Sequence, residues 1–145
     1  MAAGDEIPWS YIATRVASTS LVADSATWTS SESAALMTVT ASLTSGLTYK
    51  VWAKMYVSTT VAADLAFMRL REDTSAGTQD DGANIYLATT SGSGFEATLY
   101  TEYTAPSTAS KTWVVTGSRG AGTGTQKIAA STARPAYLTV DLIVS

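Results

Sequence analysis

Polar and apolar side chains alternate along two consecutive segments in the middle of the chain. One face of the first segment is apolar apart from one phenol and carries Tyr49, Val51, Ala53, Met55 and Val57. Its other face is polar and aromatic and carries Lys50, Trp52, Lys54, Tyr56 and Ser58. A period of two over this length predicts a long strand between two different environments.

The second segment repeats the pattern. Its apolar face carries Ala66, Met68 and Leu70. Its other face carries Leu65, Phe67, Arg69 and Arg71. We therefore predict two long strands joined by a turn, over residues 48–58 and 63–72, that each turn one face to a core.

Similar short segments recur along the chain between turn-forming residues. The other strand-like segments lie at residues 9–17, 26–30, 34–43, 84–89, 95–104, 111–118, 126–131 and 135–144. About nine short strands at this spacing predict an all-β, antiparallel β-sandwich. Spacing alone does not separate a jelly roll from an immunoglobulin-like sandwich. We expect an N-terminal arm over residues 1–8 and a single sandwich domain over residues 9–145.

Composition narrows the classes of function. Only 14% of the 145 residues are charged and the net charge is −3, so no basic surface is expected to bind nucleic acid. No apolar run approaches the length of a membrane helix, and no secretory leader is indicated at the N-terminus. These features predict a protein that folds in a cytoplasm and has neither a membrane nor a nucleic acid as its partner.

Histidine and cysteine are absent. Their absence excludes a Ser–His–Asp triad, a Cys–His pair and a zinc site built on those ligands. Carboxylate chemistry would need two facing acids, and Glu96 and Glu102 lie roughly 20 Å apart along one strand. We expect no enzymatic activity and no cofactor.

Two loops contain residues that could bind a ligand. The acids Asp73, Asp80 and Asp81 could offer hard oxygens to Ca²⁺, although a plain polar loop at residues 73–82 is the simpler interpretation. The glycines in TGSRGAGTGTQK lack the Lys-Ser/Thr ending of a phosphate-binding loop. Those glycines instead predict a sharp bend or the close approach of another backbone.

The side chains that we expect at an interface are large, aromatic or cationic, namely Trp9, Trp52, Lys54, Tyr56, Arg69, Arg71 and Arg119. Trp52 lies between two lysines on its strand face. That face is either a buried contact with a partner subunit, which we favour, or a platform for stacking on sugar rings, for which Trp28 is another candidate. Arg69 and Arg71 either form a rim cluster with Glu72 or Asp73 or bind an acidic partner surface.

Three stretches together resemble small structural proteins of tailed phages that infect actinobacteria, namely LTSGLTYKVWAKMYVS, AFMRLREDTSAGTQ and TWVVTGSRGAGTGTQKIAASTARPAYLTVDLI. The resemblance covers roughly residues 43–143. It implies a jelly-roll module that assembles on a virion, often as a homotrimer. The leading function that it implies is capsid decoration: the protein would be assembled in the host cytoplasm, would sit on the outer capsid surface and would bind the major capsid protein. The alternative is a receptor- or carbohydrate-binding module of a minor tail or fibre protein.

Overall fold

The computed structural model describes residues 13–90 and 94–144. Nine strands make up its regular structure, and no helix occurs in this part of the chain. The strands are β1 (Ala13–Leu21), β2 (Met37–Leu43), β3 (Thr48–Thr59), β4 (Asp64–Glu72), β5 (Gln79–Leu87), β6 (Phe95–Thr104), β7 (Ala109–Ala121), β8 (Gln126–Ile128) and β9 (Ala136–Ile143). The predicted all-β class is confirmed. The described ranges accordingly include no helix of the length and apolar character needed to cross a bilayer.

The strands form two antiparallel sheets. The front sheet has the order β1-β9-β3-β6, with the short β8 beside the far end of β3. The back sheet has the order β2-β7-β4-β5. Successive strands pass from one sheet to the other, except that β4 and β5 pair within the back sheet and β8 and β9 both lie in the front sheet. This is the double Greek-key arrangement of a jelly roll, so both the sandwich and its jelly-roll form are confirmed.

The core lies where the inner faces of the two sheets meet. The inward side chains of β3 are buried, from Tyr49 at 2% exposure to Val57 at 0%. Ala66, Met68 and Leu70 of β4 face them and are completely buried. The alternation predicted from the sequence is confirmed on both strands except at Ser58, which is buried although the alternation places it on the outward face. Side chains on one side of a pleated strand share one environment.

Some predicted boundaries are wrong. The segment at 26–30 is not a strand but a single bridge between Trp28 and Gln126. The loop expected at 73–82 is shorter, because Gln79 already begins β5 and pairs with Arg71. Within the described residues β1 runs farther along the chain than expected, since Ser18–Leu21 continue its pairing with β9.

Two predictions fall on residues outside the described ranges. They are the N-terminal arm at residues 1–8 and the interface role of Trp9.

Candidate interaction surface

The outward side of the front sheet, hereafter the front face, carries its side chains in rows that cross four strands. Direct pairing of β6 with β3, β3 with β9 and β9 with β1 sets these rows. The first, hereafter the charged row, contains Glu102, Lys50, Asp141 and Arg15. The second contains Tyr100, Trp52, Thr139 and Ser18, and the third contains Thr98, Lys54, Tyr137 and Ser20.

Trp52 is fixed on this face by a carboxylate of the next strand. Its indole Nε1–H donates to Asp141 Oδ2 at 2.9 Å, and Arg15 Nε donates to Asp141 Oδ1 at 3.3 Å. The indole therefore reaches from β3 across β9. Thr139, which lies directly opposite Trp52, is completely buried although it belongs to the outward face. Its hydroxyl finds no hydrogen-bond partner within the described chain.

Cationic side chains lie over the aromatic rings of the front face. The Lys50 ammonium stands 5.9 Å from the centre of the Trp52 ring and 5.5 Å from that of Tyr100. The Arg134 guanidinium stands 4.4 Å from the centre of the Tyr56 ring. At such distances the ring quadrupole attracts the cation. The predicted face of Trp52, Lys54 and Tyr56 is thus an ordered array whose rings are partly covered.

Hydrogen bonds of charged groups also shift pKa values at this surface. Lys54 Nζ lies 3.2 Å from Glu96 Oε2, and this hydrogen bond and the negative charge raise the pKa of Lys54. The Tyr100 hydroxyl donates to Glu102, which raises the pKa of that phenol. Both lysine and phenol therefore keep their protons at neutral pH, so Lys54 stays cationic and Tyr100 stays a donor.

Two of the rings remain accessible. Tyr100 is 44% exposed and Tyr137 is 39% exposed. They flank Trp52 and Lys54 in adjacent rows. Neither tyrosine is among the interface residues predicted from the sequence. Their outward position could have been predicted from the sequence, because each tyrosine lies out of phase with the buried residues of its own strand.

The predicted arginine pair lies on the opposite side of the molecule, on the outward side of the back sheet (the back face). Arg69 Nη1 lies 2.6 Å from Glu32 Oε2, and Arg71 Nε lies 3.0 Å from Glu32 Oε1. Glu32 also accepts a hydrogen bond from the Thr116 hydroxyl. The cluster is intramolecular, and its acid is Glu32 in place of the expected Glu72 or Asp73.

Burial works to raise the pKa of Glu32, but the hydrogen bonds from Thr116 and Arg71 and the positive charges of both arginines lower it overall. The carboxylate is therefore ionised at neutral pH. It ties the connection between β1 and β2 (residues 22–36) to the back face.

Glu72 and Asp73 bind a different cation. Lys111 Nζ lies 2.7 Å from Glu72 Oε2 and 2.9 Å from Asp73 Oδ2. Although burial opposes the charge, these two hydrogen bonds raise the pKa of Lys111 to about 12. Neither acid is free to receive Arg69 or Arg71.

Arg119 belongs to neither face. Its guanidinium donates to the backbone carbonyl of Gly124 in the glycine-rich loop. Its backbone N–H donates to the carbonyl of Thr29 at 2.8 Å. The six predicted residues within the described chain thus lie in three separate places: Trp52, Lys54 and Tyr56 share the front face, Arg69 and Arg71 share the back face, and Arg119 lies on neither.

The glycine-rich loop surrounds a buried carboxylate. Asp64 is completely buried, and its Oδ2 accepts from the Thr59 hydroxyl at 2.5 Å and from Gly124 N at 3.1 Å. A Cβ at Gly122 would stand 1.8 Å from Asp64 Oδ1, and one at Gly124 would stand 2.3 Å from Oδ2. Burial works to raise the pKa of Asp64, but the hydrogen bonds from Thr59, Gly124 and Thr123 lower it overall. The predicted close approach of another part of the chain to these glycines is confirmed, and the Asp64 side chain is one of the groups that lie against them.

The other predicted acids do not converge. No group of three potential metal-binding side chains occurs among the described residues. Asp80 Oδ2 instead accepts from Trp113 Nε1 at 3.1 Å, and Asp81 Oδ2 accepts from Tyr100 N at 2.7 Å. Burial and the nearby charge of Glu72 raise the pKa of Asp80. These aspartates join elements of the fold to one another.

Trp28 is wrong as a sugar-stacking candidate. Only 4% of its surface is exposed, and its Nε1–H donates to Gln126 Oε1 at 2.9 Å inside the molecule. Its ring packs on Gly117, where a Cβ would stand 2.7 Å from it. Trp28 therefore anchors the connection between β1 and β2 in the core.

No protein-family model and no curated protein matches this chain. Among solved structures it is similar to the CBM22-1–GH10 modules of Clostridium thermocellum endo-1,4-beta-D-xylanase 10B complexed with xylohexaose, with 13% identity and a TM-score of 0.38 over 76% of this chain. It is also similar to the VP2 subviral particle of infectious bursal disease virus, with 12% identity and a TM-score of 0.37 over 88% of this chain. The chain spans 20% and 37% of those two chains. Similarity this low carries no argument about what this chain binds or where it acts.

Proposed function

We propose that this protein is a non-enzymatic structural protein of a phage virion that works by docking protein on its front face. In the form we favour it is a capsid decoration protein, assembled in the host cytoplasm and held on the outer capsid surface next to the major capsid protein. The phage assignment rests on the sequence resemblance. The assignment of the working surface rests on the ordered aromatic array around Trp52.

The array supports a protein partner because its side chains are held in place before any contact is made. Asp141 fixes the Trp52 indole at 2.9 Å, and Lys50 lies over two rings. Side chains already ordered lose little conformational entropy on docking. Aromatic residues are also enriched at the centres of protein interfaces.

Sugar binding is the second candidate, because the exposed rings of Tyr100 and Tyr137 flank Trp52. A stacking platform needs open ring faces. Lys50 stands over Trp52 and Tyr100, and Arg134 stands over Tyr56, which reduces the open ring area. The covered rings favour the protein partner over the sugar.

The location of the chain in the particle tests the virion assignment. Purified virions of the phage that encodes the chain should contain it, and cryo-electron microscopy should place its density on the outer capsid surface. Density on the tail would transfer the assignment to a tail or fibre protein. Absence of the chain from virions would overturn the virion proposal altogether.

A sugar titration separates the two candidate ligands. The unmodified protein and a Trp52→Ala variant are titrated with a panel of oligosaccharides and followed by tryptophan fluorescence and calorimetry. We expect no saturable binding by either protein at millimolar sugar. Binding that the Trp52→Ala variant loses, and that a Trp28→Phe control keeps, would make the front face a sugar site.

A further inference from the structure

We propose that the front face binds the front face of a second copy of this chain, about a twofold axis that runs parallel to β3. The inference rests on the proposed function, which makes the front face the docking surface. The partner that docks there is a second copy of the chain. Its basis is the order of charges across the four strands.

Charges alternate along the charged row. From β6 to β1 the side chains are an acid, a base, an acid and a base, namely Glu102, Lys50, Asp141 and Arg15. A twofold axis parallel to the strands, placed between β3 and β9, reverses this order in the facing copy. Glu102 then faces the second copy's Arg15, whose side chain is 56% exposed. Lys50 lies over the second copy's Asp141, which is 7% exposed and stays bound to its own Trp52 and Arg15. The exposed charges at the two edges of the row therefore meet their opposites.

The next two rows are compatible with the same axis. Thr139 is completely buried, so Trp52 meets the second copy's Trp52 indole, which reaches across β9 at this point. Lys54 faces the second copy's Tyr137, whose ring is 39% exposed and open to a cation. No two like charges of these three rows oppose each other.

Lys50 is well placed to change partners on docking. No ion pair to Lys50 occurs within the described residues, since its ammonium lies over the rings of Trp52 and Tyr100. Glu102 likewise binds only the Tyr100 hydroxyl in the described part of the chain. Both side chains therefore keep charge available for the facing copy.

The symmetry follows from self-complementarity. A twofold contact joins one surface patch to the same patch on its partner, whereas a threefold contact joins two different patches. A row that is complementary to its own reversal fits the twofold. The inference therefore replaces the homotrimer that the resemblance implies with a dimer.

The area of the front face determines how strongly we expect two copies to associate. Four strands about 4.8 Å apart, each rising about 3.3 Å per residue, give a footprint of roughly 500 Å² per copy over the length of β9. A standard interface buries about 800 Å² per partner. We therefore expect a reversible dimer with a dissociation constant in the range of roughly 1–100 μM.

The first measurement is the native mass of the full chain against concentration. Sedimentation equilibrium at low salt should move from the 15.1 kDa monomer toward twice that mass. A chain that stays monomeric throughout, or that forms a trimer, overturns the inference. If such a chain is nevertheless found on the outer capsid surface, the proposed function stands and another protein covers the front face.

Charge reversal tests the contact itself. Glu102→Lys alone and Arg15→Glu alone each place like charges opposite each other twice in the dimer. Each variant should weaken self-association at least about tenfold. Mixing the two variants brings each introduced charge opposite its complement, so an equimolar mixture should form a heterodimer about as strong as the original dimer.

Native mass spectrometry of the mixture, with one variant labelled with ¹⁵N, distinguishes heterodimer from homodimer. Thermal melts of each variant alone check that it folds. Folded variants that remain dimeric, or a mixture that forms no heterodimer, would contradict the twofold pairing. Lys127→Glu is the matched control, because Lys127 pairs with Asp24 outside the three rows, and it should leave the dimer unchanged.

Discussion

The two outward faces of the sandwich differ in what satisfies their charged side chains. On the back face, the chain's own connection between β1 and β2 supplies Glu32 to Arg69 and Arg71. On the front face, lysines lie over aromatic rings, and Tyr100 remains 44% exposed. Ion pairing within one chain occupies both arginines of the back face. On the front face Arg15 pairs with Asp141 and Lys54 pairs with Glu96, but Lys50, Glu102 and the exposed tyrosine rings remain for a second molecule to use.

This difference shows that residue type alone does not identify an interface. Arg69 and Arg71 have the chemistry of interface residues, yet both are bound by an acid of their own chain. Tyr137 is an ordinary strand residue in the sequence, yet it lies next to Lys54 on the open face. The course of the connecting segments decides which face remains free.

The largest expected effect comes from Gly117→Ala. This substitution displaces Trp28, which anchors the connection between β1 and β2 over the back face. The new Cβ would stand 2.7 Å from the Trp28 ring, and that ring is buried. Overpacking of this kind costs about 1–3 kcal/mol. We expect about 2 kcal/mol of lost unfolding free energy in chemical denaturation.

Gly82→Ala on β5 is the matched control for this substitution. Its Cβ would stand 2.8 Å from Gln79 Nε2, which is the end of a flexible side chain that can move away. This variant should change stability by less than about 0.5 kcal/mol. If both variants lost the same stability, the special role of Trp28 would be wrong.

A smaller effect, which depends on pH, is expected from Glu32→Gln. The folded protein lowers the pKa of Glu32 below its unfolded value of about 4.3. The carboxylate therefore stabilises the fold above about pH 4.3, and this contribution is lost as pH falls through the lower folded value. At pH 7 the variant should lose about 1–2 kcal/mol, and the two proteins should converge in strong acid.

Glu96→Gln on the front face is the counterpart of Glu32→Gln. The Glu96 and Lys54 side chains are 52% and 41% exposed, so their ion pair is open to solvent and screened. Its removal should leave the stability unchanged in the same denaturation series. A pH-dependent loss as large as that of Glu32→Gln would erase the contrast between the two faces.

The smallest expected effect is a gain, from Thr139→Val under Trp52. The Thr139 hydroxyl is buried without a partner in the described chain, and valine has nearly the same shape. Removal of an unpaired buried hydroxyl should stabilise the protein by up to about 1 kcal/mol, or raise Tm by roughly 3 °C. Thr139→Ser keeps the hydroxyl and should not stabilise. A loss of stability in the valine variant would mean that the hydroxyl binds an unseen water.

Much of the fold could be predicted from the sequence because burial follows strand phase. The buried residues Val51 and Met68 lie on the predicted inward sides. Pairing between distant strands left no comparable local signal. Trp28 illustrates the limit, because its neighbours in sequence are polar and its burial depends on Gln126 from a distant strand.

The candidate surface was predictable only in part for the same reason. Trp52, Lys54 and Tyr56 share a strand, so their common face follows from alternation. The rows that join Lys50 to Asp141 on β9 and to Glu102 on β6 require the register of three strands. Register is a property of the assembled sheet, and no local pattern in this sequence specifies it.

The buried Asp64 also determines what the glycine-rich loop cannot do. Backbone N–H groups of Thr123 and Gly124 point at this carboxylate, as they would point at a bound phosphate. The loop thus carries its own permanent anion. An outside anion would meet occupied donors and a like charge, so this glycine-rich stretch is closed to nucleotides even though it resembles their binding loops in composition.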